Sequence, residues 1–489
     1  MRLIRLIYLI IRHNCIFLIA FLPVPFFRIF RKLYKENSQK QARRLVRFLE
    51  EAGPVYIKLG QMLSTRSYLF SEIYLTELNK LRDNTKAYPN KLVYKIIEEA
   101  FQTQISNLFL EINPIPVASG SIAQVYKGKL PNNQVVAIKV IKPNTFKLFQ
   151  QDIKLLGAIC KGLEGLSPRS RISKPSKIIK HLQYTMQLEL NLKFEAASMD
   201  EIRENFKSDP DVYIPQVYWE YVATNVLVQE WVDGIKIDNL IALKGAGFDL
   251  DTITKKLTKI FFYQSLRDGF FHGDIHPGNM FVMKNGAICL IDFGIMGRLS
   301  PELQIYIKDL FIAFLNKDYK KAARIHFKAG WVNEKYSVDD FALACRGIVE
   351  QTFNLPQEKI LLGKILENLF IISQIFEMEI QESLISLQKS LLYLENIGRT
   401  LSPKQNMWIL SQPIIMKYIR ATRAKDYLNL YGRKNYKEIV LLKRNLMENL
   451  AIIKNKNESF IKYMSKSYKL NLILTFLVII AICVIMIEK

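Results

Sequence analysis

The chain has 489 residues, of which 69 are Lys or Arg and 45 are Asp or Glu, so its formal net charge is +24. At roughly 150 residues per domain, this length predicts about three domains. Hydrophobic residues make up 49% of the chain, which excludes a wholly disordered protein. Five scattered cysteines without a C-x-x-C pair argue against a disulfide framework or a zinc ribbon.

The positive charge is concentrated near the two ends of the chain. Residues 1–45 hold ten Lys/Arg and one acidic residue, and residues 404–469 hold fifteen Lys/Arg and four acidic residues. Both segments interleave basic and apolar residues, which favours the anionic surface of a cytoplasmic membrane over nucleic acid as the partner. The alternative interpretation is a genome whose composition favours Lys, Ile and Asn.

The C-terminal end predicts a membrane span. Leu470–Ile487 is an uncharged, apolar run of 18 residues, about the shortest length that crosses a bilayer as a helix. Lys462, Lys466 and Lys469 precede it and place the rest of the chain in the cytoplasm by the positive-inside rule. A buried C-terminal core helix is the alternative.

The N-terminal segment has a weaker pattern. Leu3–Ile11 is apolar apart from Arg5, and Cys15–Phe27 is apolar but short and contains Pro23 and Pro25. A small-residue cleavage site for a signal peptide is not evident. We interpret the segment as an interfacial amphipathic one, with a second membrane span as the alternative.

Apolar periodicity and turn residues predict the secondary structure. The first half of the chain predicts helices within Ala42–Leu81 broken at Gly53-Pro54, a helix over Leu92–Ile105, a hairpin of strands Ile122–Leu130 and Val135–Ile141, and helices over Phe146–Leu163 and Lys177–Phe206. The second half predicts a strand over Val226–Val232 and, from Leu250 onward, helices with one strand pair at Met280–Ile291. A small mixed lobe is therefore followed by a larger helical lobe.

The motif that carries chemistry is Phe271-His-Gly-Asp-Ile-His-Pro-Gly-Asn279, followed by the strand pair and Ile291-Asp-Phe-Gly294. An Asp five residues before an Asn, then an Asp-Phe-Gly, is the arrangement of kinase-like phosphoryl transfer. This reaction needs oxygen ligands for a metal ion, predicted to be Asn279 and Asp292, and a catalytic carboxylate beside the acceptor, predicted to be Asp274.

A competing interpretation makes His272, Asp274 and His276 alternate metal ligands on one strand face. No other clear His/Cys ligand motif accompanies them in the sequence. The kinase-like interpretation therefore takes precedence.

The smaller lobe supplies a matching lysine. Val136-Ala-Ile-Lys139 lies on the second hairpin strand, where a kinase-like fold places the lysine that contacts phosphate. Glu195 and Glu189 are both candidates for its carboxylate partner. Leu227–Trp231 predicts either the connector that holds adenine between the lobes or an ordinary buried strand.

These residues resemble the UbiB family of atypical kinase-like proteins over nearly the whole chain. Gly53-Pro-Val-Tyr-Ile-Lys-Leu-Gly-Gln61, followed by Leu63-Ser-Thr-Arg66, is similar to the family's K-x-G-Q signature and supplies Lys58 and Gln61. Glu189-Leu-Asn191 resembles its E-x-D segment. The segment similar to its Ala-rich nucleotide loop is Val117, Ala118, Ser119, Gly120, Ser121, Ile122, Ala123, Gln124 and Val125.

The resemblance implies an α+β, bilobal protein-kinase-like fold that binds ATP and Mg²⁺, with Lys139 and Glu195 in the nucleotide site. It implies a bacterial inner-membrane protein of ubiquinone biosynthesis, whose partners are membrane lipids, ubiquinone-precursor lipids and other proteins of that pathway. The predicted segments are a membrane-proximal segment (1–45), a helical extension (46–112), a kinase-like N-lobe with an insertion (113–235), a helical C-lobe (236–403), a basic tail (404–469) and a transmembrane helix (470–487).

Three positions depart from the family pattern. Gly120 stands where many members have Ala, which predicts a changed nucleotide preference because glycine lets backbone approach phosphates closely. Asn191 replaces the Asp of E-x-D and removes a charge from a metal-binding position. Ser67-Tyr68 stands where the family commonly has Pro-Asp.

The short segment after Asp-Phe-Gly bears on the substrate. Ser300-Pro301 begins a helix almost at once, which leaves no long activation segment for a protein substrate. By resemblance, the helix of Lys58 covers the active site and blocks a peptide. The sequence therefore predicts an ATPase or a kinase of small molecules or lipids. A nucleotide-binding pseudoenzyme scaffold is the alternative, and a ring hydroxylase is disfavoured because no G-x-G-x-x-G is present.

Overall fold

The computed structural model describes residues 2–15, 38–64, 71–81, 87–166, 175–353, 368, 372–378 and 381–417, apart from positions 79, 374 and 408. All of them belong to the first of two compact units, Met1–Tyr418. Within these residues, none of the helices has the length and apolar character needed to cross a membrane. The predicted span Leu470–Ile487 lies outside the described residues, as does the basic tail beyond position 417.

The described part is a mixture of helices and strands. The strands are β1 Glu111–Ile112, β2 Ala118–Ser119, β3 Ala123–Lys129, β4 Val135–Ile141, β5 Val212–Tyr213, β6 Val226–Glu230, β7 Ile235–Lys236, β8 Phe270–His272, β9 Met280–Val282, β10 Ile288–Leu290 and β11 Met296–Arg298. The helices are α1 Arg2–Arg12, α2 Ser38–Ala52, α3 Pro54–Ser64, α4 Glu72–Leu78, α5 Asn90–Phe101, α6 Ile105–Leu108, α7 Thr145–Leu166, α8 Pro175–Glu189, α9 Leu192–Asn205, α10 Leu240–Gly245, α11 Leu250–Phe262, α12 Pro301–Leu315, α13 Tyr319–Lys328, α14 Val338–Phe353 and α15 Glu382–Leu401.

The predicted helix break at Gly53-Pro54 is confirmed. Gly53 has φ +119°, a conformation that side chains disfavour, and it separates α2 from α3. Pro54 then starts α3, where its missing N–H costs nothing. The break separates α2 from α3, and α3 packs against both α7 and α8.

The small lobe is an antiparallel sheet. Its strands lie in the order β1-β3-β4-β6, and β2 pairs with the other end of β3. The predicted hairpin is confirmed, with Val125 of β3 opposite Lys139 of β4. The buried side chains of its core are Val93, Ile97, Phe109, Tyr126, Leu130, Val136, Ile138, Val140, Val226 and Val228.

The prediction of one helix over Lys177–Phe206 is wrong. The helix is interrupted between α8 and α9, and Asn191 adopts an extended conformation with its side chain accepting a hydrogen bond from the Lys193 N–H. Asn191 is thus the N-cap of α9, a role that Asn fills well. The apolar pattern runs on through the break, so periodicity alone did not reveal it.

The large lobe carries two further sheets. One has the strand order β5-β10-β9-β7, in which the predicted strand pair β9–β10 is confirmed. The other pairs β8 with β11, which flank the motif and were not predicted. Ser300 accepts a hydrogen bond from the Leu303 N–H and caps α12, as its position before Pro301 predicted. Together these elements form a protein-kinase-like, α+β arrangement.

Candidate active site

Lys139 lies at the centre of the site. Its Nζ lies 2.8 and 2.9 Å from the two carboxylate oxygens of Glu195 and 2.9 Å from Oδ1 of Asp292. Glu195 sits in the first turn of α9. The Asn191 cap sets where α9 begins and therefore where the Glu195 carboxylate lies. The structure therefore selects Glu195 over Glu189 as the partner of Lys139.

The charges of this cluster follow from its contacts. Desolvation lowers the pKa of Lys139, but Asp292 and Glu195 outweigh it and raise that pKa above its ordinary range. Desolvation raises the pKa of Asp292, and the Lys139 ammonium outweighs it and lowers that pKa below its ordinary range. Burial raises the pKa of Glu195 to about 7 against the opposing effect of Lys139. Lys139 is therefore a cation held between two acids.

Asp292 faces the open cleft from a strained backbone. Its side chain is 47% exposed, and its φ of +62° lies in the left-handed region that non-glycine residues rarely adopt. Backbone strain of this kind costs roughly 1–3 kcal/mol and is often found at functional sites, where the surrounding structure holds a side chain in one orientation.

The loop after β8 is held by His272. The Asp274 N–H donates to His272 Nδ1 at 3.1 Å, and His272 Nε2 lies 3.2 Å from the carbonyl oxygen of Ile291. One ring nitrogen is thus used by the loop and the other by Ile291, directly after β10, and burial lowers the pKa of His272. The interpretation of His272, Asp274 and His276 as metal ligands is wrong. In the described part of the chain, no group of three or more His, Cys, Asp or Glu side chains could hold a metal ion.

Asp274 is paired with a lysine that the sequence did not predict. Lys389 of α15 places its Nζ 2.9 Å from Asp274 Oδ1. Burial raises the pKa of Asp274, but Lys389 and then Lys58 outweigh it and lower the pKa to about 2. The two residues are 115 positions apart, and no local pattern around Lys389 marks it.

Helix α15 docks directly on this loop. Ser390 Oγ donates to the carbonyl oxygen of His272 at 3.0 Å. A Cβ at Gly273 would lie 3.0 Å from Ser386 Oγ, so glycine permits the close approach. The turn of α15 that carries Lys389 is therefore fixed against the loop from both sides.

Lys58 of α3 reaches the same cluster. Its Nζ lies 3.1 Å from Glu189 Oε2, and the two side chains are 13% and 9% exposed. The Lys58 charge also lowers the pKa of both Asp274 and Asp292, behind the larger effects of Lys389 and Lys139. Gln61 does not join this group in the same way, because its Nε2 donates to the carbonyl oxygen of Leu81 at 3.3 Å.

The predicted nucleotide loop is a tight turn between β2 and β3. The Gly120 N–H donates to the Ala123 carbonyl oxygen, and Lys142 Nζ donates to the Gly120 carbonyl oxygen at 2.6 Å. Ser119 Oγ is buried and has no hydrogen-bond partner among the described residues. The loop thus offers a polar side chain suited to an added ligand.

Two members of this loop serve the lobe's interior. Gln124 is 1% exposed, accepts a hydrogen bond from the Tyr88 N–H and donates one to Tyr126 Oη. Ile122 is also buried, whereas Val117 is exposed. Their contribution to nucleotide binding stays a prediction, as does that of Ala118, Ser121, Ala123 and Val125.

Asn279 and Asp292 suit a magnesium ion. The Nδ2 of Asn279 donates to the Asp274 carbonyl oxygen at 3.4 Å, and this hydrogen bond leaves the amide oxygen available as an acceptor among the described residues. Asp292 supplies an ionised, accessible carboxylate. Carboxylate and amide oxygens are ligands that Mg²⁺ accepts together with phosphate oxygens. The residues present therefore fit this ion.

The fold and the site define an atypical kinase-like protein, and comparison with known proteins agrees. The ABC1 atypical kinase-like domain matches residues 80–326, and the UbiB helical domain matches residues 345–406. A protein named "Probable protein kinase UbiB" from Marinobacter nauticus is 38% identical over 392 residues, which cover 79% of this chain and 72% of the relative. A protein of the same name from Sodalis glossinidius is 38% identical over 381 residues, covering 77% and 70% of the two chains. The chain belongs to the UbiB family of ABC1 atypical kinase-like proteins.

A solved structure shares the fold. The Mycobacterium tuberculosis protein Rv3197, determined as a complex with erythromycin, superposes with a TM-score of 0.54 at 24% identity. The match covers 79% of this chain and 98% of that one. At this identity the similarity concerns the architecture alone.

Proposed function

We propose that this chain is an ATP-dependent atypical kinase or ATPase. The observation that carries the proposal is the Lys139 ammonium, held within 2.9 Å of both Glu195 and Asp292. A cation fixed beside an accessible carboxylate suits a triphosphate with its metal ion. The family membership supports the same reaction class.

Each side chain of the site then has a role. Lys139 neutralises phosphate oxygens, and Glu195 holds Lys139 in place. Asn279 and Asp292 would hold Mg²⁺, which would offset the phosphate charge. Asp274, with a pKa of about 2, is too weak a base to remove a proton efficiently, so it orients the acceptor. Phosphoryl transfer through a loose transition state asks little more of this residue.

The surroundings of the site favour a small acceptor. Lys58 and Glu189 form a nearly buried pair beside Asp274, where a peptide substrate would have to lie. After Asp292, the chain enters β11 and then α12 at Pro301, so little backbone remains to form a peptide platform. We therefore propose two acceptors. One is water, which makes the protein an ATPase, and the other is a small lipid-soluble molecule of the class of ubiquinone-precursor lipids.

Membrane association is the second part of the proposal. Helix α1 exposes a band of apolar side chains that share one face by their three- and four-residue spacing. The exposed residues of this band are Leu3, Ile4, Ile7, Tyr8 and Ile11. Together with the basic ends and Leu470–Ile487, this band supports a protein of the bacterial inner membrane with its lobes in the cytoplasm. Membership of the UbiB family supports a role in ubiquinone biosynthesis. Other proteins of that pathway are proposed as partners.

A pseudoenzyme scaffold is the second candidate. It is favoured by the occupation of both acids, Asp274 by Lys389 and Asp292 by Lys139. Such a protein would bind nucleotide without turning it over.

ATP turnover by the purified full-length protein, with and without anionic liposomes, separates the two candidates. We expect Mg²⁺-dependent turnover that Lys139→Met reduces at least about 100-fold, since a transition-state cation is lost. Lys95→Met, on an exposed lysine of α5, is the matched control and should retain turnover. Nucleotide binding without turnover under both conditions would support the scaffold.

A further inference from the structure

We propose that Lys389, in the helical domain, is a positioning residue of the active site that fixes the Asp274 carboxylate for the acceptor. The inference rests on the proposed phosphoryl-transfer function and adds a residue to its machinery. The observation behind it is the 2.9 Å contact between Lys389 Nζ and Asp274 Oδ1.

The contact is directional. Lys389 occupies Oδ1 of Asp274, and the loop backbone is fixed by the Asp274 N–H on His272 Nδ1. Asp274 is therefore held once at its carboxylate, through Oδ1, and once at its backbone N–H. Among the described residues this leaves Oδ2 to receive the hydrogen of an acceptor hydroxyl or water. Acceptor orientation of this kind contributes strongly to rate, and a displacement of about 1 Å costs about 100-fold.

The support of Lys389 is rigid. Its helix, α15, packs against α11 and β11, and Ser390 Oγ donates to the His272 carbonyl oxygen one residue along. A lysine on a mobile surface would lose several rotatable bonds' worth of entropy when it binds a carboxylate. Here the lysine is only 22% exposed and its helix is anchored on the same loop. The helical domain, residues 345–406, thereby adds a residue to a site that lies mainly in the kinase-like domain, residues 80–326.

A purely structural ion pair is the competing role for Lys389. Both roles predict some loss of stability in Lys389→Met, because Asp274 loses its partner. Only the positioning role predicts that the loss falls on kcat while the KM for ATP stays the same, since nucleotide is held by other residues. Lys389→Arg keeps a cation at this position and should recover part of the rate.

The test is steady-state ATP turnover by the full-length protein in five variants beside wild type. The variants are Lys389→Met, Lys389→Arg, Asp274→Asn, the double variant Asp274→Asn with Lys389→Met, and Arg399→Met. Arg399 is an exposed cation near the end of the same helix, and its variant is the control that should retain wild-type turnover. We expect Lys389→Met to lower kcat by about 10- to 100-fold.

The double variant decides how Lys389 acts. If Lys389 works through Asp274, adding Lys389→Met to Asp274→Asn lowers kcat no further. This comparison can be made even if Lys389→Met alone does not fold, because the double variant removes both charges of the pair. A further loss of more than about 10-fold would overturn the positioning role. If the wild-type protein turns over ATP and Lys389→Met has the same kcat, the positioning role of Lys389 is overturned but the proposed function is not. If the wild-type protein does not turn over ATP, both the proposed function and the positioning role are overturned.

Discussion

The Lys58 ammonium and the Glu189 carboxylate lie 3.1 Å apart, and each side chain is nearly buried. This pair joins α3 of the helical extension to the end of α8, one short turn before the helix that carries Glu195. The helical extension therefore contacts the site through an ion pair as well as through the packing of its helices.

Breaking this pair should destabilise the protein. Lys58→Met removes the cation that lies 3.1 Å from the nearly buried Glu189 carboxylate, and the loss of one partner of a buried ion pair costs about 3–5 kcal/mol. Chemical denaturation measures the effect, and Lys58→Met combined with Glu189→Met should recover a large part of it. If the loss of unfolding free energy in the double variant equals the sum of the losses in the two single variants, Lys58 and Glu189 are not coupled.

Asp274→Asn should separate catalysis from binding. The amide keeps the shape of the carboxylate but cannot orient an acceptor through a negative oxygen, so kcat should fall by about 100-fold. The affinity for nucleotide should change little, because Asp274 is not one of its proposed ligands. Steady-state kinetics with a nucleotide titration distinguishes the two effects. Equal losses in both would place Asp274 in nucleotide binding.

Much of this site could be predicted because its residues are close in sequence. Asp274, Asn279 and Asp292 follow one another within a loop and a strand pair, and the spacing alone identifies their class. The partner of Lys139 could not be chosen between Glu189 and Glu195. That choice depends on the helix break at Asn191, which the apolar pattern conceals.

Other features depend on contacts over long distances. Lys389 is 115 residues from Asp274, so its role follows only from how α15 packs on the loop. Strands β8 and β11 are separated in the sequence by the motif and the strand pair, so their pairing depends on how the chain folds back between them. In contrast, the hairpin of β3 and β4 has seven residues per strand and was predicted directly.

The stability of the large lobe should depend on pH through His326. Burial against Trp331 and Phe341 lowers the pKa of His326 to about 4 from its ordinary value of 6.5. Because the unfolded state binds this proton first, the free energy of unfolding falls as pH drops from about 6.5 to about 4, by roughly 3 kcal/mol.

Denaturant unfolding of His326→Phe at pH 4 to 7 tests this expectation. The variant keeps an aromatic ring but cannot be protonated, so its stability should change less over this range than that of the wild type. A smaller slope will remain, because buried His272 has a lowered pKa of the same sign. Identical slopes in the two proteins would show that His326 does not contribute.

The apolar band of α1 should bind lipid. Ile4 and Ile11 are 71% and 61% exposed, and replacing both by Ser should weaken binding to anionic liposomes about 10-fold or more. Ile241→Ser removes an isoleucine that is 87% exposed on α10, and as the matched control it should bind like wild type. Cosedimentation of the chain truncated after Tyr468 measures this surface without the predicted span. Equal binding by both variants would remove α1 from the membrane surface.

The predicted span has its own test. The full-length chain should stay in the membrane fraction after a high-salt wash, since a spanning helix is held without electrostatic attraction. The chain truncated after Tyr468 should leave anionic liposomes as salt rises, because about 1 kcal/mol per well-placed Lys or Arg is screened. Release of the full-length chain by salt would contradict a span at Leu470–Ile487.

We expect the cleft around Lys139 and Asp292 to bind a nucleotide together with Mg²⁺. Asp292→Asn tests this binding most directly. ATP titrations of the purified protein with and without Mg²⁺ should show that the metal strengthens binding to the wild type and to Asp339→Asn, an exposed control on α14. In Asp292→Asn the strengthening by Mg²⁺ should disappear, because the only ionised ligand proposed for the metal is lost. Undiminished Mg²⁺-dependent affinity in Asp292→Asn would contradict the account.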